Sequence, residues 1–124
     1  MLRAPAMTTF EMEDREQAEP RLRLVEMSGE LDLTNTHELE ARLDELPDDD
    51  AILVLDLNRV LFVDSAALHV LFRLARDRGP ERFGMVLEPT AAIARTLEIV
   101  GLPRVVPVRP TADEVLEAVT AATR

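Results

Sequence analysis

The sequence has no cysteine and no lysine, and each absence removes a class of chemistry. Without cysteine, the 124 residues can form no disulfide, use no thiol nucleophile and build no thiolate metal site. All 14 basic residues are arginine, which excludes a lysine-dependent phosphate loop, a pyridoxal Schiff base and any lysine nucleophile. With two histidines and no tyrosine, few side chains remain that could act as a catalytic base.

Long apolar runs and a positive charge balance are also absent. No apolar run approaches the roughly 18–20 residues that a membrane span needs, and the N-terminus lacks the apolar stretch of a secretory signal. The net charge of −10 opposes binding to a phosphate backbone, which needs clustered cations, and suits a basic protein partner. The sequence therefore predicts a cytoplasmic protein that binds no nucleic acid and does not insert into a membrane.

The hydrophobic pattern predicts one α/β domain. Hydrophobic residues make up 47% of the chain and aromatic residues only 3%, so we expect a single core of Leu, Val, Ile and Ala. Residues 1–6 are expected to form a flexible tail and residues 7–124 the domain. Strand and helix patterns follow the order β-β-α-β-α-β-α-β-α, which predicts a mostly parallel mixed sheet of about five strands with about four helices.

Turn residues and helix caps locate these elements along the chain. Strands are expected near residues 7–14, 22–29, 52–63, 83–87 and 105–108. Helices are expected to begin at Thr34 or Asn35, at Asp64 or Ser65, at Thr90, and at a capping box that opens with Thr111. The third helix is expected to turn Val100 inward, beside Ile93 and Leu97.

The most informative stretch runs from Ile52 to Leu71. A first apolar run, a polar pair and a second apolar run lead to Asp64 and Ser65, and apolar residues then recur at helical spacing, so a buried strand feeds a helix. At a helix N-terminus, backbone N–H groups lack partners and the macrodipole favours negative charge. A phosphoryl group on Ser65 would be held there with little strain, although serine is also a common N-cap with no further role.

Three segments occur in a distinctive order and spacing. Gly29–Asp32 (GELD) ends the second strand, Leu55–Ser65 spans the third strand and the helix start, and Leu97–Leu102 closes the third helix. Each segment is weak alone. Together, on this pattern of elements, they resemble the STAS domain, the fold of bacterial anti-sigma factor antagonists, over roughly residues 8–122.

The resemblance implies a partner switch controlled by phosphorylation. In the family, the serine directly after the strand-ending Asp, which corresponds to Ser65, is phosphorylated by an anti-sigma factor with a histidine-kinase-like ATPase fold. The unphosphorylated antagonist binds this kinase and frees a sigma factor for transcription. Phosphorylation ends the binding, and a phosphatase restores it. The resemblance implies no cofactor, no metal and no catalytic activity of the chain itself.

The resemblance also assigns the surroundings of the phosphorylated serine. The family's acidic residues correspond to Asp32 and Asp64, which would repel a phosphate on Ser65. An ordinary turn role for Asp32 and an ordinary cap or turn role for Asp64 stay open as alternatives. The expected partner-binding face is the start of the helix: Ser65, Ala66, Ala67, Leu68 and His69.

Two positions depart from the family pattern. The family often has Ser-Ser-Gly-Leu or Ser-Thr-Gly-Leu where this chain has residues 65–68, Ser-Ala-Ala-Leu. The second hydroxyl is missing at Ala66, and the methyl group of Ala67 is expected to weaken a contact with a closely approaching partner backbone. This departure favours the alternative of a STAS subunit of a transporter or stress-signalling complex that binds without phosphorylation.

Catalytic and metal-binding alternatives have less support. His69 follows Ser65 by four residues and shares its helix face, but the chain lacks the Gly-x-Ser-x-Gly elbow of a hydrolase. The acidic run 48–50 lacks the spaced ligands and central glycine of a calcium loop and is expected to be a solvated loop. An enzyme of flavodoxin-like or hydrolase type therefore rests on fold analogy alone.

Overall fold

The structure, a computed structural model, describes residues 9–17, 22–47 and 50–122. Its elements are β1 (Phe10–Gln17), β2 (Leu22–Leu31), α1 (Thr36–Asp44), β3 (Ile52–Val63), α2 (Ser65–Arg78), β4 (Phe83–Val86), α3 (Ala94–Ile99), a 3-10 turn (Leu102–Arg104), β5 (Val108–Arg109) and α4 (Ala112–Ala122). The predicted order of strands and helices is confirmed. The predicted tail, residues 1–6, and most of the acidic run 48–50 lie outside the described residues.

The five strands form one mixed sheet in the order β1-β2-β3-β4-β5. β1 pairs antiparallel with β2, whereas the pairs β2–β3, β3–β4 and β4–β5 are parallel. Because β2 and β3 run in the same direction, their carboxyl ends meet at one end of the sheet. The Asp64 N–H donates to the Leu31 carbonyl there at 3.1 Å, so the end of the GELD segment lies beside the start of α2.

The two faces of the sheet are covered differently. One face carries the main core, in which Leu39 of α1, Leu71 of α2 and Leu97 of α3 are fully buried. On the other face, α4 packs through Val115 and Val119 in a smaller aliphatic cluster. Because α1 and α2 share one face, the loop before α1 and the first turn of α2 come together at the same end of the sheet.

Two strand boundaries differ from the sequence prediction, and two predicted helix caps differ from each other in their side-chain bonds. β1 extends beyond residue 14 to Gln17, because all eight of its residues pair with β2. β5 contains only Val108–Arg109, because the chain before it forms a 3-10 turn. Asn35 is the N-cap of α1 but makes no side-chain cap bond. Thr111 does cap α4, since its Oγ1 accepts from the Glu114 N–H at 3.2 Å.

The third helix differs most from its prediction. It begins after Ile93 and not at Thr90, and its last residue is Ile99. Ile93 and Leu97 are buried as predicted, but Val100 is 40% exposed. The prediction for Val100 is wrong because the helix has ended before it, and Gly101 then takes a left-handed conformation that redirects the chain.

Candidate functional site

The side chain of Asp64, and not that of Ser65, caps α2. Asp64 Oδ1 accepts a hydrogen bond from the Ala67 N–H at 3.0 Å, and the Asp64 backbone is extended, as an N-cap requires. Ser65 is therefore the first residue of the helix, and its interpretation as a plain N-cap is wrong. The Ser65 side chain is exposed, and the helix does not need its hydroxyl as a cap.

The Asp64 carboxylate also ties the start of α2 to the loop after β2. Its Oδ2 accepts from the Leu33 N–H at 2.9 Å, a contact between residues 31 positions apart in the sequence. The carboxylate thus bonds to two backbone donors in different elements. Hydrogen bonds to a charged acceptor are among the stronger ones in proteins, so Asp64 fixes the geometry on both sides of Ser65.

Asp32 shapes the same loop. Its Oδ1 accepts from both the backbone N–H and the hydroxyl of Thr34, at 2.9 and 2.6 Å. The Asn35 amide supports this turn by accepting from the Asp32 N–H at 3.0 Å and donating to the Glu30 carbonyl at 2.8 Å. Asp32 therefore has the turn role that the sequence left open, at the end of the sheet that carries Ser65.

The predicted partner-binding residues are not equally accessible. Ser65 and His69 are exposed, whereas Ala66 and Leu68 are half-buried. Ala67 is completely buried in the main core. Helical periodicity turns this position toward the sheet, so the methyl group of Ala67 does not lie on the surface. Partner binding by residues 65–69 stays a prediction.

Three exposed apolar side chains at this end of the sheet were not predicted as site residues. Leu33, Leu61 and Phe62 are 70%, 64% and 50% exposed. Leu33 lies in the loop held by Asp64, while Leu61 and Phe62 end β3 just before Asp64. The pairing of β2 with β3 shifts register twice near this end, so strict alternation fails and the consecutive Leu61 and Phe62 side chains both reach solvent.

Ser65 is exposed at the start of α2. A pocket of about 390 Å³ lies across β1 and β2, and neither Ser65 nor Asp64 lines it.

Within the described ranges, no group of three or more His, Cys, Asp or Glu side chains could hold a metal ion. No helix in the described part of the chain is long and apolar enough to cross a membrane. An exposed hydroxyl beside apolar side chains suits contact with another protein.

Removal of the Asp64 carboxylate should destabilise the domain. We expect Asp64→Ala to lower the free energy of unfolding by about 2 kcal/mol, since it removes both the helix cap and the bond to Leu33. Asp64→Asn, which keeps one carbonyl oxygen, should lose about half as much. Urea unfolding measures these values, with the exposed Ser65→Ala change as the control that stays within about 0.5 kcal/mol of wild type. Equal losses for Asp64→Ala and Ser65→Ala would contradict this role of Asp64.

Comparison with known families accounts for this architecture. The family model described as the STAS domain matches residues 11–115. The chain belongs to the STAS domain family. The match covers β2 and β3, the loop held by Asp64, and the whole of α2. No curated protein gives a significant match to the sequence.

Solved structures of other proteins resemble this STAS domain. The crystal structure of an anti-sigma factor antagonist from Mycobacterium paratuberculosis is 33% identical in sequence, with a TM-score of 0.72, and the alignment covers 95% of this chain and 98% of that one. A sulfate transporter family protein from Wolinella succinogenes is 19% identical, with a TM-score of 0.51 over 81% of this chain and 85% of that one. The second likeness concerns the fold alone.

Proposed function

We propose that this STAS domain is an anti-sigma factor antagonist controlled by phosphorylation of Ser65. Its partner is an anti-sigma factor kinase with a histidine-kinase-like ATPase fold, in the bacterial cytoplasm. The unphosphorylated domain binds the kinase and frees a sigma factor. Phosphorylation of Ser65 ends that binding, and a phosphatase restores it. The domain itself catalyses no reaction.

The observation that carries the proposal is the position of Ser65. It is an exposed residue at the first position of α2, and Asp64 already supplies the helix cap. A kinase can therefore reach the hydroxyl without opening the start of the helix. The 33% identity to an anti-sigma factor antagonist over nearly the whole of both chains supports the same role.

Electrostatics explains how phosphorylation would end the binding. A phosphoserine adds about −1.5 to −2 charges at neutral pH, next to the Asp64 carboxylate. Asp64 and Asp32 are both held by backbone hydrogen bonds, so neither can turn away without losing them. A partner site that accepts the neutral hydroxyl would meet this added charge, and such a difference in contact is what shifts a binding equilibrium.

The exposed apolar side chains supply the remaining part of the proposed docking face, which consists of Ser65, Ala66, Leu68, His69, Leu33, Leu61 and Phe62. Large side chains that are half or more exposed beside a charged site are suited to anchor a partner. The case for binding without phosphorylation rested on Ala66 and Ala67. Since Ala67 is buried, only Ala66 remains as a surface difference in support of that alternative.

Phosphate mapping tests the proposal directly. The domain, ATP, Mg²⁺ and the anti-sigma ATPase of the source organism would be incubated together, and the phosphate located by mass spectrometry. We expect one phosphate on Ser65 and none on a Ser65→Ala variant. The chain has one other serine, Ser28 in β2, so Ser28→Ala is the matched control and should be phosphorylated at the wild-type rate. A phosphate elsewhere in the chain would refute the assignment.

Truncation of Phe62 tests the apolar part of the docking face. We expect Phe62→Ala to weaken kinase binding about tenfold, the loss typical of a peripheral aromatic anchor. Since Phe62 is already 50% exposed, the free energy of unfolding should change little. Ile99→Ala is the control, because Ile99 is 72% exposed on α3 and outside the docking face. Calorimetric titration measures both affinities, and equal losses for the two variants would argue against this face.

A further inference from the structure

His69 shares the exposed side of α2 with Ser65. The two residues are four positions apart on one helix and both are exposed, so their Cβ atoms lie roughly 5–6 Å from each other. Side chains on a helix lean toward its N-terminus, which directs the imidazole of His69 toward Ser65. A phosphate on Ser65 would therefore extend into the region that the imidazole reaches.

The first two turns of α2 carry no other charged side chain. Residues 65–72 contain no Arg, Lys, Asp or Glu. Arg73, two turns after Ser65 on the same side of α2, is paired with Glu40 of the neighbouring helix α1, with Nη1 and Oε2 2.9 Å apart. At the same end of the sheet lie the Asp64 and Asp32 carboxylates, which hold the loop after β2, and α1, which carries His37 in its first turn. Within the first two turns of α2, His69 is therefore the basic side chain that can meet a phosphate on Ser65.

We propose that His69 is a positioning residue that binds the phosphate of phosphorylated Ser65. This proposal rests on the proposed phosphorylation of Ser65. The carboxylates of Asp64 and Asp32 repel the phosphate from the helix cap, and the imidazole of His69 holds it along α2 through a ring N–H donor. A serine phosphate takes up its second charge near pH 6, and a charged acceptor forms a stronger hydrogen bond than a neutral one. The contact therefore favours the dianion of the phosphate.

The test uses phosphoserine inserted at position 65 by genetic encoding, so that no kinase is needed. The ³¹P chemical shift would be followed against pH in the wild-type background and in His69→Gln, His69→Arg and His37→Gln. We expect His69→Gln to raise the midpoint of the phosphate titration by about 0.2–0.4 pH unit, because the i,i+4 imidazole donor no longer favours the dianion. His69→Arg should keep the midpoint at or below the wild-type value. His37→Gln should leave it unchanged.

The outcomes separate this proposal from the one on which it rests. Equal midpoints in the wild-type and His69→Gln proteins would overturn the role of His69, as would an equal shift in His37→Gln. A shift confined to His69→Gln supports the pairing, even if the ATPase partner fails to phosphorylate Ser65, which would refute the proposed function alone. His69 and His37 are both exposed, and matching thermal unfolding curves would verify that the variants fold alike.

Discussion

Replacement of Ser65 with Asp should weaken binding to the anti-sigma factor kinase at least 100-fold, or about 2.8 kcal/mol. The new carboxylate would lie next to that of Asp64, at the centre of the proposed docking face. Asp64 cannot turn away without releasing the Ala67 and Leu33 N–H groups. The partner site would thus have to accept a charge where it now meets a hydroxyl, and an unmatched charge at an interface costs several kcal/mol.

Two neutral variants control for the change in shape. Ser65→Ala should bind the kinase as tightly as the wild type and resist release by ATP, because it cannot be phosphorylated. Ser65→Asn introduces a side chain of the same size as Asp without its charge, and it should lose less than tenfold in affinity for the kinase. Calorimetric titration against the purified kinase gives the three affinities. Equal binding by Ser65→Ala and Ser65→Asp would eliminate the phosphorylation switch.

Replacement of Gly29 with Ala should cause the largest loss of stability, about 3 kcal/mol or more. Gly29 has a φ of +99°, a conformation that L-residues rarely adopt. An added Cβ would also lie 2.9 Å from the Phe10 Cα and closer still to the Thr9 carbonyl oxygen. Both atoms belong to the backbone of the neighbouring chain segment, so relief would require β1 to move away from β2.

Gly101 provides the matched control for this variant. Its φ is +83°, but nothing lies within 4 Å of the position that a Cβ would occupy. Gly101→Ala should therefore cost only the backbone strain, about 1–2 kcal/mol. Urea unfolding of both variants separates the cost of backbone strain from the cost of the steric clash at position 29. Equal losses in the free energy of unfolding would show that the contact with β1 is unimportant. The first residue of the GELD segment is thus explained by packing and not by partner binding.

The main architecture was predictable because it depends on local patterns. Apolar strands alternating with amphipathic helices specify a largely parallel sheet, and Gly79 and Gly101 mark chain reversals that need a positive φ. The third helix was predicted too long because Thr90 resembles a cap. Whether a helix begins there depends on the preceding loop, where the Glu88 N–H is bound by Asn58 Oδ1 from β3 at 2.7 Å.

The site was predictable only in part. Ser65 was found because strand, Asp-Ser and helix are adjacent in the sequence. The bond from Asp64 to Leu33 could not be predicted, since it depends on parallel pairing of β2 with β3. The exposure of Leu61 and Phe62 follows from irregular strand register, and consecutive apolar residues in a sequence do not distinguish a bulge from a buried strand.

The most direct test of the central claim is affinity capture from a lysate of the source organism, with wild type, Ser65→Ala and Ser65→Asp as baits and mass spectrometry of the retained proteins. We predict that an anti-sigma factor with an ATPase fold is retained by wild type and Ser65→Ala and lost with Ser65→Asp. Retention of the same proteins by all three baits, such as a transporter component, would contradict the claim that Ser65 controls partner binding.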